Sequence, residues 1–209
     1  WRNGAFLGIH DPRGKAQTRF RRDTRLWAAI RIHAIRGGAV GAVRYNAGML
    51  NIRNATPDDI PLILEFIREL AEYERAPQEA VATPEDLQRD GFSDAPRFFV
   101  EIAEWDGEPA GFALWFFNYS TWQGKPGLYL EDVFVRPRFR KKGIGKALLV
   151  HLACVAVEKG CGRYQWQVLD WNTPAIHFYE SLGAKVMKEW LTMRVSGEAL
   201  RELAEKGKG

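Results

Sequence analysis

The sequence predicts a mixed α/β domain: a single central mixed β-sheet flanked by helices on both faces. Three observations carry that prediction. From residue 51 onward, strand-like and helix-like segments follow in the order β-α-α-β-β-β-α-β-α-β, which calls for one sheet covered by helices. Residues 128–149, LYLEDVFVRPRFRKKGIGKALL, run from an apolar strand through a basic, glycine-bearing turn directly into a helix. Asp106-Gly107 stands between two aromatic-rich apolar runs and is a hairpin signal.

Each element has its own local cause. Ile52-Arg53 reads as a short strand, and Thr56-Pro57-Asp58-Asp59 as a helix start, with a capping hydroxyl, an early proline and two acids facing the helix dipole. Ile60, Ile63, Leu64, Ile67, Leu70 and Ala71 then recur at helical spacing to about Glu74. Thr83-Pro84-Glu85-Asp86 repeats the start signal, and Gly91 ends a short second helix. Residues 98–105 and 110–119 are the hairpin strands, whose aromatic density is that of sheet packing. After the strand at 128–135 comes a helix over 144–159 with Gly160 as its stop. Residues 164–169 form a further strand, and Asn172-Thr173-Pro174 opens a helix that runs to Gly183. One or two final strands are expected in 184–195 and a terminal helix over 198–206.

Composition narrows the function classes. The chain has 209 residues, enough for one full core with an appendage. Its net charge of +4 is unevenly placed: residues 1–48 hold ten Lys or Arg against two acids, while residues 49–209 carry −4. A nucleic-acid role would rest on the basic segment alone, and none is expected. That segment lacks sustained apolar periodicity, and Met49 opens a stretch that reads like a natural beginning. Residues 1–48 are therefore expected to be a disordered or non-native extension, with 49–209 as the domain; a targeting peptide is disfavoured because the segment has no serine. The apolar runs are short, so no membrane partner is expected. Cys154 and Cys161 form no CxxC pair, and His10, His33, His151 and His177 have no zinc-site spacing. No metal is expected, and the thiols suit a cytoplasmic protein.

The basic turn excludes two nucleotide motifs. A Walker A loop needs a glycine five positions before the glycine of the Gly-Lys pair and a Ser or Thr after it, whereas Arg140 stands five positions before Gly145 and Ala147 follows Lys146. A Rossmann fingerprint needs a third glycine, which is missing after Gly143-Ile144-Gly145. What stands here is Arg140-x-x-Gly143-x-Gly145, which resembles the acyl-CoA pyrophosphate loop of the GNAT N-acetyltransferases. Four further stretches resemble the diamine (spermidine/spermine) branch of that family: ELAEYE at 69–74, WQGK at 122–125, LYLED at 128–132 and WNTPAIHFY at 171–179. The resemblance spans about residues 52–204. Lys141 departs from it, since the polyamine enzymes usually carry glycine there.

The resemblance implies an acetyl-CoA-dependent N-acetyltransferase acting on a small amine, by direct transfer in a ternary complex, and a homodimer. Backbone N–H groups of Lys141, Lys142, Gly143, Ile144, Gly145 and Lys146 would cradle the pyrophosphate at a helix N-terminus, with Arg140 adding charge. Beside Val133, Phe134 and Val135 the family's pantetheine arm pairs like an added strand. Asn172, Thr173, Pro174 and Ala175 contact CoA by the same resemblance, though Asn172 alone reads as a helix cap. Tyr179 matches the family's general acid toward the departing thiolate, where spacing alone makes it a packed aromatic. A primary amine with a pKa near 10 must lose a proton before attack, and Glu131 is the first candidate to accept it, through water. Adjacent strand residues point to opposite faces, so Glu131 and Asp132 share a face only across a bulge, which the family leads one to expect. Tyr73, Glu74, Trp122, Glu131 and Asp132 would then wall an acidic, aromatic channel suited to a cation. A protein lysine or N-terminus as acceptor, or an acyl-CoA sensor without turnover, remain as alternatives.

Overall fold

The computed structural model describes residues 43–45 and 50–207, in two compact units, one ending at Gln165 and the other beginning at Trp166. The first contains β1 (Val43–Tyr45), β2 (Leu50–Asn54), α1 (Ile60–Tyr73), α2 (Pro84–Gly91), β3 (Phe99–Trp105), β4 (Glu108–Ser120), β5 (Lys125–Val135) and α3 (Ile144–Glu158). Strand β6 (Arg163–Trp166) runs across the boundary, and α4 (Thr173–Ser181) and α5 (Gly197–Glu205) belong to the second unit. The sheet order is β1-β2-β3-β4-β5-β6. Strands β1 to β5 pair antiparallel throughout, and α3 is the crossover that carries the chain from β5 to β6. Among the described residues no helix is long and apolar enough to cross a membrane.

Alternation along β3 shows why helices cover both faces. Val100 and Ile102 join Ile60, Ile63, Leu64 and Phe66 of α1, Leu87 of α2, Phe112 of β4 and Phe134 of β5 in one buried cluster. Glu101, the residue between them, points the other way and meets His151 of α3 at 3.5 Å. The β3–β4 turn is the expected two-residue hairpin, with Asp106 at φ 52° and Gly107 at φ 82°. Thr56 and Thr83 both stand at the expected helix starts with a carboxylate three residues on.

Three differences from the sequence reading have physical reasons. Strand β1 lies upstream of Met49, in the stretch set apart as an extension, and is joined to β2 by backbone pairing; the expectations for the rest of 1–48 lie outside the described residues. The strand expected over 164–169 stops at Trp166. Residues 184–195 form no strand, although Val186, Met187, Trp190, Leu191, Met193 and Val195 give them strand-like apolar content. Apolar content favours burial, but a strand also needs an edge to bond to, and no sequence pattern supplies one.

Candidate active site

The phosphate turn folds as its sequence requires. After β5 the chain makes a short 3₁₀ turn over Pro137–Phe139 and enters α3 with Gly143 as N-cap at φ 83°. A left-handed cap of this kind is glycine's position, and a Cβ there would meet nothing within 4 Å, so the backbone conformation fixes the residue and space does not. The first intrahelical bond runs from Ala147 N to Gly143 O at 2.9 Å. The N–H groups of Ile144, Gly145 and Lys146 therefore lack intrahelical acceptors and stand at the positive end of the helix, a ready anion site. A Cβ on Gly145 would lie 3.8 Å from Val135 Cγ2, an ordinary contact, so the turn packs beside the end of β5 without requiring glycine at this position.

The basic side chains of the turn divide by what they touch. Arg138 pairs with Glu108 at 3.1 Å, and Lys142 lies over Trp105, Nζ 4.7 Å from the ring centroid. Lys141 and Lys146 are exposed. Lys141 has φ 64°, a conformation that strains an L side chain by about 1 kcal/mol. This is the position where glycine is usual in the polyamine enzymes. Lys141→Gly is expected to raise the melting temperature slightly in a thermal unfolding scan, while weakening coenzyme A binding a few-fold through the lost charge.

Beside this turn the end of β5 pairs with β4 on one side and, among the described residues, with no strand on the other. Arg136 N donates to Ala110 O at 2.9 Å, so the backbone groups of Arg136 and Phe134 face β4 and those of Val133 and Val135 face away from it. Gly162 N donates to Pro126 O at 2.8 Å, which puts the start of β6 beside the start of β5. Four residues of β6 advance about 13 Å and do not reach Val133 to Val135. An unpaired strand end of this kind is what an extended, amide-bearing chain bonds when it adds as a strand.

The expected bulge is present. Leu114 of β4 pairs with Asp132 and the next residue, Trp115, pairs with Leu130, so Glu131 is the extra residue of β5. Asp132 is half-buried and Glu131 exposed. Burial, Glu131 and Glu74 together push the Asp132 carboxyl up to about 7. Partial burial also raises Glu74, which caps α1 directly after Tyr73. The structure thus groups Glu74, Glu131 and Asp132 electrostatically, with Tyr73 as the neighbouring ring. Trp122 is not part of this group. It lies in the β4–β5 turn, 84% exposed, six ladder positions from the Leu114–Asp132 pair, about 20 Å along the strands. The sequence places it in the channel by resemblance, and hairpin length sets it at the far end of the β4–β5 ladder from Asp132.

In the second unit Asn172 caps α4, its side-chain oxygen accepting from Ala175 N at 3.4 Å, with Thr173 and Pro174 opening the helix. Tyr179 lies two turns further on, its ring 5.2 Å from that of Trp166 and 5.5 Å from that of Phe178. Sequence reasoning missed Arg136. Its guanidinium meets Glu65 at 2.7 Å and Glu69 at 2.8 Å on α1, reaches Pro109 O at 3.1 Å and lies 4.6 Å from the Phe66 ring centroid. The signal was an arginine between a core strand and a proline, and it was lost among the basic residues of the turn.

One stretch of chain thus brings together a helix start suited to an anion, a strand end with no partner strand among the described residues, and a group of carboxylates. The sequence model described as the acetyltransferase (GNAT) family matches residues 63–184. A thialysine N-epsilon-acetyltransferase of Sus scrofa is 43% identical over 166 residues, covering 74% of this chain and 97% of the relative. An L-ornithine N5-acetyltransferase of Arabidopsis thaliana is 36% identical over 197 residues, covering 73% and 86%. The solved structure of an integron cassette protein from V. cholerae superposes with a TM-score of 0.65 at 28% identity, over 75% of this chain and 98% of that one. The chain belongs to the GNAT acetyltransferase family. It is an N-acetyltransferase of the branch that includes the thialysine and spermidine/spermine-type enzymes.

Proposed function

We propose that the protein transfers the acetyl group of acetyl-CoA to a primary amine of a small, cationic, lysine-like or polyamine substrate, directly in a ternary complex. The observation that carries this reading is the bulged pair Glu131–Asp132, with the Asp132 carboxyl raised to about 7 beside Glu74 and Glu131. Three carboxylates draw in an ammonium group, and one whose proton affinity lies near neutrality is suited to take its proton. The relatives named for thialysine and ornithine act on amines of this kind.

The roles proposed for the residues are those that the family resemblance implies, with Asp132 added from the structure. Backbone N–H groups of residues 141–146 hold the pyrophosphate, and the Val133–Val135 edge holds the pantetheine arm. Asp132 accepts the ammonium proton, with exposed Glu131 drawing in the cation from the rim; the sequence had favoured Glu131 for the first task. Once neutral, the amine attacks the thioester carbonyl carbon and the C–N bond forms; as the C–S bond breaks, Tyr179 gives its proton to the departing thiolate and takes back the proton that the attacking nitrogen sheds. Residues 172–175 contribute further cofactor contacts. Free thiols at Cys154 and Cys161 suit a cytoplasmic setting, and exposed Phe117 and Tyr119 near the far end of β4 support a homodimer.

The test is release of coenzyme A with acetyl-CoA and a panel of spermidine, 1,4-diaminobutane, ornithine, thialysine and a lysine peptide. Turnover on a free diamine or amino acid, far above the peptide, is expected. Turnover on the peptide alone would move the acceptor to protein lysines. Binding without any turnover would make the protein a sensor.

A further inference from the structure

We propose that Arg140 couples the two halves of the site, resting on the acceptor side in the free protein and leaving it when the pyrophosphate cradle is filled. This rests on the cofactor reading above. Arg140 stands three residues before the Gly143 cap, and its guanidinium lies against the end of β5 and the end of α1. Its Nε donates to Val135 O at 3.0 Å. Its Cζ lies 4.7 Å from the Tyr73 ring centroid and 5.8 Å from that of Phe134.

Both contacts belong to the other partners of the reaction. Val135 O faces the free edge, where it is an acceptor for an amide N–H of an added strand, and Arg140 occupies it. Tyr73 is the last residue of α1, immediately before Glu74 in the acidic group. The hold on Arg140 is correspondingly slight: one carbonyl and two ring faces, with no carboxylate at ion-pair distance among the described residues. A cation held this way is free to be drawn to a polyanion, whose charge outweighs one carbonyl and a ring.

Filling the cradle therefore does two further things at once. It releases Val135 O to the incoming arm, and it takes the Arg140 cation away from the Tyr73 ring beside Glu74. Because linkage is reciprocal, whatever weakens the resting position of Arg140 strengthens cofactor binding. Arg140 acts here as a positioning residue, through Tyr73 and Val135.

The prediction has an unusual sign. Tyr73→Leu removes the ring on which Arg140 rests, and is expected to tighten coenzyme A binding by about 3-fold in isothermal titration. Arg140→Lys keeps the charge but not the planar stacking or the Nε bond, and in that background Tyr73→Leu is expected to have no effect on coenzyme A affinity. The second readout is the Arg140 Nε–H resonance in a ¹⁵N-arginine-labelled protein, assigned by its loss in Arg140→Lys. Tyr73 shifts it upfield in the free protein, and saturating coenzyme A is expected to remove that shift. Unchanged or weaker coenzyme A binding in Tyr73→Leu, or an Arg140 resonance unmoved by bound coenzyme A, overturns the coupling alone. Failure of the wild-type protein to bind coenzyme A overturns the cofactor reading, and the coupling with it.

Discussion

Asp132→Asn is expected to lower kcat/KM for a diamine by about 10²- to 10³-fold and, at the same time, to make the free protein more stable at pH 8. The two effects share one cause. Burial, Glu131 and Glu74 hold the Asp132 carboxyl at about 7, against an ordinary value of 3.8. In the wild-type protein kcat/KM should rise with pH up to about 7, because the carboxylate form is the one that takes a proton from the ammonium group, and that limb reports the free protein. Asp132→Asn should abolish the limb. Glu131→Gln should keep it and move it to lower pH, because the Glu131 charge is one of the causes of the shift. A limb near pH 7 that survives in Asp132→Asn would return the proton to Glu131. The stability effect runs the opposite way to that of a salt-bridged aspartate. Between the unfolded and folded values the native state holds a proton that the unfolded state has released, so stability falls as pH rises from about 4 to about 7 and is flat above. Asparagine carries no charge to desolvate, so the variant should lose this fall in a urea titration followed across that window. A gain in stability with a loss of turnover is what a site that stores an unfavourable charge for chemistry produces.

What was legible in the sequence was what is local. The Asp106-Gly107 hairpin and the Thr56 and Thr83 helix starts each depend on a few neighbouring residues whose side chains or φ angles admit one conformation. The bulge at Glu131 was expected from the resemblance: two consecutive acids share a face only if the alternation is broken, and the chain breaks it there. The resemblance supplied the turn's role, which composition alone leaves as a basic surface. What could not be read depends on where distant segments arrive. Trp122 was assigned by its motif, but the length of the β4–β5 hairpin sets its distance from Asp132. Arg140 against Tyr73, and Arg136 against Glu65 and Glu69, join segments that no periodicity links. Residues 184–195 have the apolar content of a strand and no strand pairing, because pairing belongs to the edge as much as to the segment.

Phe66→Ala is expected to be among the most damaging single core substitutions for stability, by about 3–5 kcal/mol. Phe66 is fully buried, stacks on Phe112 with ring centroids 5.3 Å apart and meets Phe134 edge-on at 6.5 Å. It thereby ties α1 to β4 and β5 at one point. It also forms the floor under the Arg136 guanidinium, 4.6 Å from the ring centroid. Arg136 has a side chain only 12% exposed, so removal of the ring takes away a cation–π contact as well as a packing surface. The consequence reaches the site because Arg136 is the first residue after β5, between Val135 at the open edge and the turn that makes the cradle. Its pairs with Glu65 and Glu69 fix that end of the strand to α1, and through α1 to Tyr73 and Glu74. Phe66→Leu keeps most of the volume and should cost about 1–2 kcal/mol, with coenzyme A affinity near the wild-type value. Phe66→Ala should bind coenzyme A measurably more weakly even well below its melting temperature, because the strand end loses its anchor. Urea unfolding and coenzyme A titration of the two variants separate the outcomes. A loss below 1 kcal/mol in Phe66→Ala would mean that the aromatic cluster does not hold α1 to the sheet. A full loss of stability with unchanged affinity at low temperature would mean that the cradle is held by α3 alone.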